Sequence, residues 1–297
     1  IGVVKNTTQA GQPAHRFLNL GQPASVVCEN NTMIGGGILL SDNSTATGRT
    51  AVIRYNRMLN VDGRLSDGAG GYVYERGNVA NVYFQAKQFI QVNTVTLDGG
   101  SEIAWNEIIN DPFVSRPEDT MNFTNGAGVS GAPIRVHDNY IQGGCPTTPY
   151  VSTYSGCGFL TENTSNWIDF DDNQVVGYAN IGAHSTGGIH QNWRRNRLVS
   201  AGNVFGLAMA SRNRAMYLGS GSATYIVVED TVWSWNNAAS AQAGIGWNGN
   251  TGNTGNSETG TVALGGPTTE AHEAAEWAIW RAKVAAAGVT LGSSLAP

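Results

Sequence analysis

The chain has 297 residues, 41% of them hydrophobic, with 39 glycines, three cysteines and a formal net charge of −5. The apolar content is sufficient for one large core and argues against disorder. The acidic balance argues against general nucleic-acid binding, and no apolar run approaches bilayer length, so no membrane insertion is expected.

One phrase recurs seven times along the chain: an apolar residue, two positions, an Asn or Asp, one position and a second apolar residue. It is centred on Asn31, Asn56, Asn106, Asn139, Asn173, Asn196 and Asp230, at spacings of 25, 50, 33, 34, 23 and 34 residues. A constant core between variable loops marks a solenoid. Apolar residues alternate around each phrase, as at Ile134/Val136 and Ile168/Phe170, which is the period of a half-buried strand. Asn suits the bend that follows because it tolerates left-handed backbone. Stacked bends would place amide over amide. The predicted fold class is all-β, a right-handed single-stranded parallel β-helix over residues 1–266.

Residues 60–88 form a Gly- and Tyr-rich insertion, with Asn81 midway between Asn56 and Asn106, and read as a degenerate coil or a loop lining a face. Six segments then align with one another: 89–94, 120–125, 158–163, 180–185, 206–211 and 244–249. Their inward pairs would be Ile90/Val92, Met121/Phe123, Phe159/Thr161, Ile181/Ala183, Leu207/Met209 and Ile245/Trp247. The outward positions then form two columns on one exposed face. One runs Gln91, Asn122, Leu160, Gly182; the other runs Asn93, Thr124, Glu162, His184. Parallel neighbours lie about 4.8 Å apart, so this register places Glu162 beside His184, with Arg212 just beyond the next strand.

Cys145 and Cys157 flank a polar loop and are expected to form a disulfide, while Cys28 occupies an inward slot. One bridge favours an oxidising, secreted or periplasmic location. Residues 267–297 belong to the same domain. Glu270 and Glu273 lead, Arg281 and Lys283 trail and Gly288 closes, which predicts a helix. Trp277, Trp280 and Val284 share its apolar face, so it is expected to cap an open end of the solenoid.

Coils such as Ile134-Arg-Val-His-Asp-Asn-Tyr-Ile141 and Ile168-Asp-Phe-Asp-Asp-Asn-Gln-Val175 resemble those of the right-handed parallel β-helix proteins of the pectin-lyase-like class. The resemblance implies a carbohydrate-active protein: a polysaccharide lyase, a glycoside hydrolase, or a non-catalytic adhesin or tailspike-like solenoid. The leading expectation is a lyase acting on a uronate-containing polysaccharide by β-elimination. His184 would be base or acid, and Glu162 would orient it. Gln91, Asn93, Asn122, Thr124 and Arg212 would hold the substrate, with Tyr72 as a stacking platform. In the hydrolytic alternative, Glu162 works with Asp119, which lies beside Glu118 at the rim of the face. Arg194 and Arg195 are expected to offset Asp169, Asp171 and Asp172 of the preceding coil. The residue pattern requires no cofactor and has no zinc-ligand spacing; Ca²⁺ is compatible with it. The partner is an acidic or neutral polysaccharide, and the protein a monomer or homotrimer.

Overall fold

The computed structural model describes residues 2–3, 10–13, 15–42, 44, 46–73, 85–111, 114–143, 156–178, 180–201, 214–218, 223–236, 242–247 and 254–293. Among the described residues the strands form three parallel sheets, two of eight strands and one of nine. Each coil visits the sheets in turn. Met121–Thr124 lies in the first, Ile134–His137 in the second and Tyr140–Gln142 in the third. One coil later, Phe159–Glu162, Ile168–Asp171 and Gln174–Val176 pair with them in parallel. This is the predicted right-handed parallel β-helix.

Side chains that alternate inward make one continuous core, including Met121, Phe123, Ile134, Val136 and Ile141. Like residues stack from coil to coil. The Phe170 ring lies flat on Trp193 at 3.7 Å, and Phe159 meets Phe170 edge-on at 5.2 Å. Each such buried side chain stabilises the fold by about 1.5–3 kcal/mol.

The recurring Asn residues form an internal ladder at the bend between the second and third sheets. Asn106 Nδ2 donates to Asn139 Oδ1 and to the Ile53 carbonyl, both at 2.9 Å, while its Oδ1 accepts from Asn56 Nδ2 at 2.9 Å. Every polar atom of the buried amide is therefore paired, which is what makes its burial tolerable. The left-handed residue is not the Asn itself but its predecessor: Tyr55, Trp105, Asp138, Asp172 and Arg195 have φ of 61, 55, 56, 59 and 53°. That exchange turns the amide inward. The seventh phrase is displaced by one residue, because Trp193 pairs with Val228 and Arg197 with Val232. Thr231 therefore ends the ladder, and Asp230, at φ 48°, is the left-handed residue before it.

Arg57–Leu59 pairs directly with Glu107–Ile109. No further coil therefore intervenes between these two, so the degenerate-coil reading of 60–88 does not hold; residues 74–84, Asn81 among them, lie outside the described residues.

The helix spans Glu270–Ala286, with the Thr269 N–H donating to His272 Nδ1 at 3.0 Å. It covers the outer face of the third sheet rather than an end of the solenoid. Trp280 and Val284 pack on Tyr140 and Val176, and Trp280 Nε1 donates to the Asp138 carbonyl at 2.9 Å. Buried Glu276 accepts Arg197 Nε and Nη2 at 2.7 and 2.6 Å. Among the described residues no helix is long and apolar enough to cross a membrane.

Candidate active site

The outer face of the first sheet brings Glu118 and Glu162 together, with Asp119 beneath them. Thr124 pairs with Asn93 on one side and Glu162 on the other, as the alternating pattern predicts, and Asn122 pairs with Gln91 and Leu160. Asn122 Nδ2 reaches Glu162 Oε2 at 3.1 Å, and the Thr124 hydroxyl lies 2.6 Å from the same oxygen. These two donors fix the direction of the Glu162 carboxyl.

The segment 115–120 delivers two more carboxyls to this face, and backbone bonds hold it on both sides. Gly63 N–H donates to the Arg116 carbonyl at 2.9 Å, Glu118 N–H to the Lys87 carbonyl at 2.8 Å, and Thr120 N–H to the Cys157 carbonyl at 2.9 Å. Asp119 turns beneath the surface, 3% exposed, and accepts the Cys157 N–H at 3.0 Å. Glu118 points to the face and accepts from Gln88 Nε2. Arg16 closes the cluster, donating to Gln88 Oε1 at 2.9 Å and Gln91 Oε1 at 2.7 Å.

Burial raises the Glu118 carboxyl, and the charge of Glu162 raises it further; Gln88, Arg16 and Arg116 oppose this without reversing it. Burial likewise holds Asp119 well above the ordinary carboxylate range, with Glu118 adding to the effect. The Arg16 guanidinium is lowered by burial to about 10 despite Glu118, and Lys87 is lowered by burial and by Arg16. Three acids thus share a partly dry space, the arrangement that produces a proton-holding carboxyl beside another carboxyl.

His184 does not join this group. The next coil is displaced by two residues from the predicted register: Phe159 pairs with Ala183, Leu160 with His184 and Thr161 with Ser185. The physical reason is a polar pair at an inward slot. Ser185 is buried opposite buried Thr161, whose hydroxyl meets Gln191 Oε1 at 3.1 Å. An alignment on apolar residues alone cannot find that slot. His184 instead lies 5.4 Å from the Tyr217 ring, with the Arg214 guanidinium 5.5 Å from the same ring.

The following strand of this sheet is Arg214–Leu218, with Met216 opposite Ala183. Segment 206–211, Arg212 and Cys145 lie outside the described residues. Tyr72 is present in the 60–88 loop, but Arg64 covers one face of its ring at 3.7 Å. That loop reaches the site through Gly63 and joins the N-terminal segment at the Pro13–Leu65 bridge.

The expected Cys145–Cys157 disulfide is not formed: Cys157 is a free, buried thiol, as is Cys28. Burial, then the proximity of Asp119, holds the Cys157 thiol well above its ordinary value. Among the described residues no group of three or more His, Cys, Asp or Glu side chains has metal-binding geometry.

Sequence reasoning singled out Glu162, Asp119, Gln91, Asn93, Asn122 and Thr124, all of which fall on or behind this face. Glu118 is legible from sequence only as a rim residue, and Arg16, Lys87 and Gln88 are not legible. Adjacency to Asp119 was the available signal for Glu118; Arg16 arrives from the first coil with no motif around it. No protein-family model, curated protein or solved structure matches the chain.

Proposed function

We propose that the protein degrades a polysaccharide lying across the first sheet, hydrolysing a glycosidic bond with Glu118 as proton donor and Glu162 as base or nucleophile. The observation that supports this reading is Glu118 half-buried beside Glu162 on one face, with Asp119 beneath it; burial and then the charge of Glu162 raise Glu118. A raised carboxyl keeps a proton to give to a leaving oxygen, and a second carboxyl, oriented by Asn122 and Thr124, completes the pair that glycoside hydrolysis requires. Asp119 is too deeply buried to touch substrate and acts behind Glu118.

Arg16, Gln88, Gln91 and Asn93 offer donors and acceptors to sugar hydroxyls along the same face. The coil pattern resembling the pectin-lyase-like class is consistent with a polymer substrate, acidic or neutral, and such a substrate goes with a secreted or periplasmic location. Elimination with His184 as base has less support, because the register separates His184 from Glu162.

The test is a panel of neutral and acidic polysaccharides, read both by new reducing ends and by ultraviolet absorbance of unsaturated products. Hydrolysis predicts reducing ends without absorbance, lost in Glu118→Gln and Glu162→Gln. Absorbance would show elimination instead. Activity that survives both substitutions, or no depolymerisation of any substrate, counts against the reading.

A further inference from the structure

A cavity of about 490 Å³ lies between the helix, the C-terminal tail and the third sheet, remote from the carboxyl cluster. Its volume falls within the range of small-molecule sites. Trp277, Val289 and Leu291 supply half-buried apolar walls, and Arg57, Glu107 and Arg281 supply the charge.

The charges do not balance. Arg57 binds Glu107 through Nε at 2.8 Å and Nη2 at 3.4 Å, so that carboxylate is already matched. Among the described residues Arg57 Nη1 has no partner, and Arg281 has no ion pair; its guanidinium sits 5.6 Å from the Trp277 ring centroid. Acids nearby on the helix are engaged elsewhere. Glu273 accepts the Ala201 N–H at 2.6 Å, and Glu276 holds Arg197. One positive charge therefore remains in a pocket of a chain whose net charge is −5.

We infer that this cavity binds a small ring carboxylate, its carboxylate on Arg281 and Arg57 Nη1 and its ring against Trp277. A guanidinium presents the planar fork that a carboxylate matches, and an indole offers an apolar face for a ring. Tyr140 meets that indole edge-on at 4.9 Å and Trp280 stacks against it at 5.7 Å, so the aromatic wall is fixed before a ligand arrives. The ring belongs to an aromatic acid or to a sugar acid, since both present a carboxylate on a ring with an apolar face, planar in the first and a C–H face in the second.

Calorimetric titration of the full chain with benzoate and with glucuronate tests this, using benzamide and glucose as neutral counterparts. At least one acid is expected to bind, its counterpart about tenfold more weakly or not at all, and Arg281→Gln to weaken the acid by about tenfold. Benzoate alone identifies an aromatic acid, and glucuronate alone a sugar acid. Arg281 is exposed, so its substitution leaves the fold intact, and an unchanged melting temperature confirms this. The inference is overturned if neither acid binds, if a neutral counterpart binds equally well, or if Arg281→Gln leaves the affinity unchanged.

Discussion

The first and second sheets carry similar charged residues to opposite ends. On the second sheet, parallel register sets unlike charges against each other from coil to coil. Arg54 bonds Glu29 at 2.6 Å and Glu102 at 2.9 Å, His137 Nε2 meets Glu102 at 3.0 Å, and Arg194 bonds Asp171 at 2.8 Å. At the adjoining bend Arg195 meets Asp172 at 2.7 Å, the pairing expected from sequence. Burial pushes Glu102 upward, yet bonds from His137 and Arg54 outweigh it and leave the carboxyl lowered. On the first sheet burial pushes Glu118 upward and the charge of Glu162, next in size, pushes the same way. Residue type is thus a poor guide to role; what a carboxyl faces across the coil decides whether it supports the fold or holds a proton.

The contrast breaks most sharply at Glu118. Glu118→Gln is expected to reduce depolymerisation by about 10²–10⁴-fold, the usual contribution of a positioned acid. The same change should raise the melting temperature near neutral pH, because it removes a carboxyl that the fold holds at a disadvantage. Asp171→Asn should do the reverse, leaving activity unchanged and lowering stability. A fall in melting temperature for Glu118→Gln would show that the cluster is not under electrostatic stress.

Next in size is a substitution that involves no formal charge. Asn139→Ala removes the acceptor for Asn106 Nδ2 and the donor to Asn173 Oδ1 inside a closed core. Each buried group left unpaired costs about 1–3 kcal/mol, so urea unfolding should show a loss larger than that of Asp171→Asn. The Arg194–Asp171 pair is partly exposed, at 31% and 20%, and contributes at most about 1 kcal/mol. Equal losses would mean that the ladder amides are no better paired than surface ions.

These three sites also differ in how far sequence exposes them. The ladder is legible because a closed amide stack demands the same residue at every coil; only the identity of the left-handed position, one residue earlier, needs coordinates. The second-sheet pairs follow once that register is known, as Arg194 and Asp171 did. The first-sheet cluster was half legible. Thr124 beside Glu162 follows from alternation, but the polar slot at Thr161 and Ser185 hides the next step, and that displacement removed His184 from Glu162. Burial was harder still. Nothing in the spacing of Cys145 and Cys157 reveals that Cys157 lies under Asp119. The helix shows a face that must be covered, but not that Tyr140 and Val176 cover it.

Stability against pH should separate the two faces with a smaller but signed effect. Glu118 and Asp119 are raised in the folded protein, so they favour folding below the ordinary carboxylate range, and that contribution is lost as pH rises through their folded values. The stability gained by Glu118→Gln should therefore be absent in strong acid and grow toward neutrality. A constant difference at every pH would assign it to packing instead.

The smallest expected effect lies at His137, which sits between Glu102 and Asp138 Oδ2 at 3.0 and 2.7 Å. Arg54 and Arg135 face Glu102, and Lys283 reaches Asp138 from the helix. Burial lowers His137, but its two acidic partners outweigh burial and leave it above its ordinary 6.5. Its contribution is complete below that value and is lost as pH rises through the folded value. Glu102 and Asp138 are lowered, so theirs is lost only as pH falls through their folded values. The gap between wild type and His137→Gln should consequently be widest in mild acid and close toward alkaline pH. It should also leave depolymerisation untouched, because His137 belongs to the paired sheet. A gap that widens with rising pH would mean that His137 is held neutral, and the second sheet would then be less fully paired than its geometry implies.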